Sequence, residues 1–253
     1  MRQRAQAWPV FGPIRLVCYM SAEKLILISD VHANLPALEA VLADISRRGL
    51  SSAPVCFLGD AVNMGPFPVE TVRALKALRP AWRVMGNHDR YISSGSKAPE
   101  LERYFHCREG AEHTAWTAAA LDESCKAWLG EAPGQVSFTL GGAEFRCFHA
   151  SRGNDELLVL DPEQPEHTLC GHVHSPFIKV MESGLLAVNP GSVGSSLDGN
   201  PAASYAVLSV NGSVSAEIMR VAYDMGPFLA ALEARAVPWG GVIGGVVRKA
   251  RLG

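Results

Sequence analysis

The chain predicts an α/β fold whose first half is a parallel βαβαβ unit, and three observations carry this. Short apolar runs recur at residues 24–29, 55–58 and 82–85. Segments with apolar residues at helical spacing separate them. Each run ends at a polar motif containing Asp, Asn or His. Strands buried on both faces read as continuous apolar runs, and the helices between parallel strands make right-handed crossovers.

The elements follow in order. Residues 24–29 form the first strand and end in Ser29-Asp30-Val31-His32. Asn34 is placed to cap a helix and Pro36 suits its first turn. Leu38, Val41, Leu42 and Ile45 then recur at i, i+3, i+4 and i+7, and Gly49 stops the helix. The second strand, 55–58, ends in Gly59-Asp60, and Val69, Val72, Leu75 and Leu78 share one face of a helix closed by Pro80. The third strand, 82–85, ends in Gly86-Asn87-His88-Asp89. In parallel sheets ligands gather at the carboxyl ends of strands, so the three motifs meet there.

Residues 91–130 read as a helical insertion beside the site, with Trp116, Ala119, Ala120 and Leu121 as one apolar cluster and Cys125, Trp128 and Leu129 as another. Beyond Pro133 the period changes to two. Gly141-Gly142, Ser183-Gly184 and Asn211-Gly212 each separate two strand-like runs. Antiparallel pairs are expected at 136–148, 177–188 and 205–220, so the second half reads as antiparallel where the first is parallel. Residues 225–236 read as a helix, and the Gly-rich apolar tail from Gly240 as cover for the core or for a partner chain.

Composition narrows the function classes. The 253 residues are 48% hydrophobic and 19% charged, enough for a sizeable core. A net charge of −2 gives no general field for nucleic acid or anionic lipid. No run reaches the roughly 18 apolar residues of a membrane span. The six cysteines are scattered without a Cys-x-x-Cys pair, which fits free thiols and a reducing cytoplasm. Residues 1–19 open with a basic segment, but Pro9, Pro13 and Arg15 interrupt the apolar stretch. They read as an N-terminal extension, disordered or arising from an upstream start, and 20–253 as a single domain.

Of eight histidines, five (32, 88, 149, 172, 174) stand in strand-end motifs, the last two in Gly171-His172-Val173-His174. Asp30, Asp60, Asn87, His32, His149, His172 and His174 supply two carboxylates, one amide oxygen and four imidazoles. That set exceeds the needs of one metal and suits two divalent ions sharing a carboxylate. Mixed nitrogen and oxygen donors without thiolate point to Mn, Fe, Zn, Co or Ni rather than Ca or Mg. Two such ions can clamp a phosphoryl group and lower the pKa of bound water. His88, left over in this count, is then available as an acid.

Asp30-x-His32, Gly59-Asp60, Gly86-Asn87-His88-Asp89, His149 and Gly171-His172-x-His174, in this order, resemble the calcineurin-like metallophosphoesterases. Asn189-Pro-Gly-Ser-Val-Gly194 resembles their small bacterial and archaeal, phosphodiesterase-like branch. The resemblance implies a four-layer αββα sandwich of two mixed sheets flanked by helices. It also implies one metal, with Mn favoured, on Asp30, His32, Asp60 and His174, and another on Asp60, Asn87, His149 and His172. Phosphodiesters would be cleaved by metal-bound hydroxide. His88 would contact phosphate and protonate the leaving group, with Asp89 orienting its ring. Where the protein-phosphatase branch carries an acid and then Arg after Gly-Asp, this chain has Asn63 and Met64. A bidentate phosphate contact is therefore missing.

Each motif alone has an ordinary reading as a strand end or turn; the ordered set carries the metal site. His106, His113 and His167 match no motif and read as surface or helix-face residues, Arg152 as a solvated loop residue, and Ser192 as a turn residue positioning the adjacent strand. The expected substrate is a small phosphoester or nucleotide, with homo-oligomerisation left open. Alternatives are a dinucleoside-polyphosphate hydrolase, a phosphomonoesterase, or an interaction scaffold on the same fold with a degraded site. The scaffold reading expects a missing ligand or a missing His88, and all are present.

Overall fold

The structure, a computed structural model, describes residues 23–95 and 108–252. The expected extension at 1–19, part of the insertion and His106 lie outside the described residues.

Two five-stranded mixed sheets pack face to face. The first contains β1 (Glu23–Ile28), β2 (Val55–Phe57), β3 (Trp82–Arg83), β9 (Ala203–Val210) and β10 (Val214–Val221), in the order β10-β9-β1-β2-β3. The second contains β4 (Gln135–Leu140), β5 (Ala143–Phe148), β6 (His167–Leu169), β7 (Phe177–Val180) and β8 (Leu186–Asn189), in the order β4-β5-β6-β8-β7. The helices are α1 (Leu35–Arg47), α2 (Pro68–Leu78), α3 (Asn87–Ser93), α4 (Arg108–Ala120), α5 (Glu123–Gly130), α6 (Gly226–Ala234) and α7 (Gly240–Lys249).

The parallel unit is as expected, with β1 pairing β2 and β2 pairing β3 in parallel register. Asn34 caps α1 by accepting from the Ala37 N–H, and Pro occupies its first turn. Between the sheets Leu25, Leu27, Cys56, Leu58, Phe145, Cys147, Leu169, Val188, Ala206 and Leu208 form a dry layer. Ile26, Ile28, Val55 and Phe57 turn the other way, against Leu38 and Val41 of α1, Val72 and Leu75 of α2 and Leu129 of α5. Each such apolar side chain contributes ~1.5–3 kcal/mol on burial. The second sheet turns Ser137, Thr139, Glu144 and Lys179 outward, all exposed.

Three features correct the sequence reading. First, the halves are not parallel then antiparallel. The last hairpin joins the first sheet, pairing β9 antiparallel to β1, and β6 adds parallel pairs to the second, which gives the two mixed sheets that the resemblance implies. β9 is buried along nearly its whole length, which only an interior strand satisfies. Second, β6 was not anticipated. It has three residues, too few to show a period, and lies parallel between β5 and β8. Third, α4 buries Gly110, Ala111, His113, Thr114 and Thr117 while Ala119 and Ala120 are exposed. Its inward face is polar because it covers the polar loop at Asn63. His113 is therefore buried, not at the surface: its Nε2 accepts the Met64 N–H at 2.8 Å. The Gly-rich tail forms α7, which packs with α6 around Phe228, Leu232 and Ile243.

Candidate metal centre

The polar motifs leave β1, β2 and β6 in tight loops that cross-bond before any helix begins. Val31 and His32 donate backbone N–H groups to the Asp60 carbonyl at 2.9 and 3.1 Å, and Asp30 to that of Gly59 at 3.0 Å. Val193 and Gly194 donate to the Ser29 and Asp30 carbonyls, each at 3.0 Å, and the Ser192 hydroxyl donates to Asp30 at 2.7 Å. Ser192 thus anchors the Asp30 loop, the positioning part read from the sequence.

The fit is close enough to require particular glycines. A Cβ on Gly86 would collide with the Asp60 carboxylate, and one on Gly194 with the Val31 carbonyl. Asp30, His32, Asp60, His172 and His174 all take positive φ, between 50° and 71°. Non-glycine residues avoid this region, and such strain collects at functional sites.

The loops aim the donors inward. Asp30 Oδ2 accepts the His172 N–H at 3.1 Å, while its buried Oδ1 takes no hydrogen bond. Asp60 Oδ1 accepts the His88 N–H at 2.9 Å, while Oδ2 lies 3.2 Å from His149 Nε2 and 3.7 Å from His32 Nε2. All four imidazoles commit one nitrogen to a backbone carbonyl. Nδ1 of His32 meets Val62 at 3.2 Å, Nδ1 of His149 meets Leu58 at 2.7 Å, and Nδ1 of His174 meets Ser195 at 2.6 Å. His172 uses Nε2 instead, 2.8 Å from the Glu156 carbonyl. A ring that donates from one nitrogen presents a lone pair at the other, the arrangement that orients metal-binding histidines. Asn87 Oδ1 lies 3.1 Å from His149 Nε2, with its amide nitrogen 3.4 Å from the Tyr91 hydroxyl.

Of the residues expected at the site, Asp30, His32 and His174 form one group of converging donor atoms and Asp30, Asp60 and His149 another, while His32, Asp60 and His88 form a third. His172 joins through its ring, edge-on to His149 with centroids 5.3 Å apart. Asp89 is placed differently from expectation. Its two oxygens accept the backbone N–H groups of Asp60 and Ala61, both at 2.9 Å, and so brace the Asp60 loop. The His88 ring meets Asn63 instead, Nδ2 to Nδ1 at 3.1 Å. Asn63 was visible in the sequence only as a departure from a pattern, and Thr114, behind it, carried no signal.

Burial opposes ionisation of Asp30 and Asp60, but His174 and His149 around Asp30, and His149 and His88 around Asp60, hold both below the carboxylate range. Burial pushes His149 down, yet the Asp60 and Asp30 carboxylates outweigh it and raise it to about 10. His32, with burial and His174 acting together, falls to about 3. Burial and the Asp60 charge push Asp89 up to about 7.

The model of the calcineurin-like phosphoesterase superfamily domain matches residues 24–213. An uncharacterized protein of Methanocaldococcus jannaschii is 31% identical over 228 residues, covering 81% of this chain and 90% of that one. A crystal structure of a metallophosphoesterase from Sphaerobacter thermophilus superposes with a TM-score of 0.71 at 25% identity, covering 90% of this chain and 99% of that one. A hypothetical protein from Pyrococcus horikoshii has the same fold, with a TM-score of 0.76 at 18% identity, covering 91% and 98%. The chain belongs to the calcineurin-like phosphoesterase superfamily, metal-dependent hydrolases acting on phosphoester bonds. The Asp and His clusters are compatible with divalent metal. No helix among the described residues is long and apolar enough to cross a membrane.

Proposed function

We propose that this protein hydrolyses phosphodiesters with two divalent transition-metal ions, Mn foremost. Asp30, His32, Asp60 and His174 would hold one ion, and Asp60, Asn87, His149 and His172 the other. The observation that carries this is the matched orientation of the donors. Each carboxylate has one oxygen on a backbone N–H and one facing inward, and four rings are fixed by four carbonyls. Bound there, the ions would supply Lewis acidity to the phosphoryl oxygens and lower the pKa of water.

The chain's own residues do the rest. Asp60, facing His32 on one side and His149 on the other, would be the bridging carboxylate. Asp89 braces the loop that carries it. His88 offers its ring edge to an oxygen of the substrate.

Two features favour a diester. Arg90, on the same helix as His88, is committed to Asp155 at 2.7 Å and Glu156 at 2.5 Å, so it offers no open fork to a dianionic monoester. A cavity of about 510 Å³ opens beside His149, lined by Met85, Arg90, Pro133, Gln135, Ser151 and Asn154. It leaves room for a second ester substituent. We also read residues 20–253 as one functional unit, since loops of both sheets contribute to the site. Its free buried thiols, Cys56 and Cys147 among them, suit the cytoplasm.

The test is a panel assay of Mn-loaded protein on aryl phosphodiesters, aryl monoesters, cyclic nucleotides and dinucleoside polyphosphates. Diesters should turn over with the highest kcat/KM. A monoester or dinucleoside polyphosphate ranking first overturns the diester assignment.

A further inference from the structure

Asn63 and Thr114 are fully buried polar residues between the loop after β2 and the inward face of α4. The Thr114 hydroxyl donates to the Gly110 carbonyl one turn back, at 3.1 Å. Its single proton is thereby used, and towards Asn63 it can only accept. The Asn63 group 3.4 Å from it must therefore be the amide NH2. That same nitrogen lies 3.1 Å from His88 Nδ1. A hydroxyl 51 residues away in sequence thus decides which end of an amide meets the His88 ring. Asn63 is held for this contact in a left-handed conformation, φ 64°, which Asn tolerates better than most residues. Its neighbour Met64 is pinned by His113 from the same helix face.

We propose that Thr114 and Asn63 form a positioning relay that fixes the His88 imidazole, Nδ1 lone pair inward and Nε2–H towards the substrate. The inference rests on the phosphoesterase reading of the site. The ring so held meets a phosphoryl or departing oxygen as a preorganised hydrogen-bond donor, the type of group that stabilises charge developing in a transition state. A carboxylate at position 63 would do the reverse, accepting from Nδ1–H and turning the Nε2 lone pair outward. The helical insertion, which supplies none of the proposed metal ligands, thereby reaches the His88 ring through two side chains.

The decisive measurement is the nitrogen NMR spectrum of Zn-loaded protein labelled in histidine. His88 Nδ1 should appear unprotonated and Nε2 protonated, and Asn63→Asp should move the proton onto Nδ1. Thr114→Val should lower kcat about tenfold, the effect of one lost hydrogen bond, with KM and metal content unchanged, and Thr114→Ser should restore it. A protonated Nδ1 in the wild type, or Thr114→Val within twofold of wild-type kcat, overturns the relay. The spectrum needs no substrate. If it is as expected while no phosphoester turns over, the relay stands and the hydrolytic reading of the site falls.

Discussion

The Nε2 atoms of His32 and His174 face each other at 3.0 Å although 142 residues separate them. Both Nδ1 atoms lie against backbone carbonyls, so the two Nε2 atoms converge on one space beside the Asp30 carboxylate. His174→Ala should cost about one equivalent of metal and leave the other. Asp60→Asn, which alters the carboxylate proposed to bridge the two ions, should remove most metal from both. Elemental analysis after desalting decides. Two equivalents retained by Asp60→Asn would refute the bridging assignment.

His88 should act as a donor of hydrogen bonds, not of protons. His88→Ala should keep its metals, because the ring is outside the proposed ligand set, and lose ~10²–10³-fold in kcat. The loss should be alike for nitrophenyl and alkyl leaving groups. The measurement is kcat against leaving-group pKa at matched metal occupancy, and parallel lines are expected. A deficit that grows with leaving-group pKa would restore His88 as the acid expected from the sequence.

Metal uptake should release protons. The Asp60 carboxylate, against the opposing effect of burial, raises His149 to about 10, so at neutral pH this ring carries a proton that a cation must displace. Affinity should rise with pH up to about that value. Calorimetric titration in two buffers of different ionisation enthalpy counts the protons, and at least one per protein is expected at pH 7. A buffer-independent heat would argue against the competition.

Acid should weaken the protein partly through Asp44, far from the site. Burial alone would raise this carboxyl, but the Tyr205 hydroxyl, Arg48 and Arg47 outweigh it and lower its pKa from 3.8 to about 2. The folded pKa lies below the unfolded one, so the contribution is present above about pH 4 and lost as pH falls through about 2. With the side chain 9% exposed, it amounts to at most ~2 kcal/mol. The stability gap between wild type and Asp44→Asn in urea melts should shrink by about that much between pH 5 and pH 2.

The sequence displayed those parts of the molecule that a local pattern can encode. The parallel unit was visible because β1 from Leu25 onward and all of β2 are apolar, and α1 and α2 keep strict helical spacing. The donors were visible because their chemistry is concentrated at strand ends. Three things were not. β6 is too short to have a period. The partner of β9 depends on which edge of β1 is free, a property of the assembled sheet. The inward face of α4 is polar, so apolar spacing pointed to Ala119 and Ala120 and passed over His113 and Thr114. The family resemblance implies that Asp89 orients the His88 ring, whereas at the head of α3 its side chain turns back to the Asp60 loop.

The pairing of β9 with β1 bears on how the chain acquires its site during synthesis. β1 is made early, yet its register is set by residues as far on as Val210, opposite Glu23. The Asp30 loop waits for Ser192, Val193 and Gly194, which precede that strand. Pairing over such separations is slow because the loop must close before contacts repay it. A nascent chain arrested before residue 203 would lack both β9 and β10. The half-made polypeptide, although it already contains every proposed ligand, would have no stable cradle in which to sequester a metal.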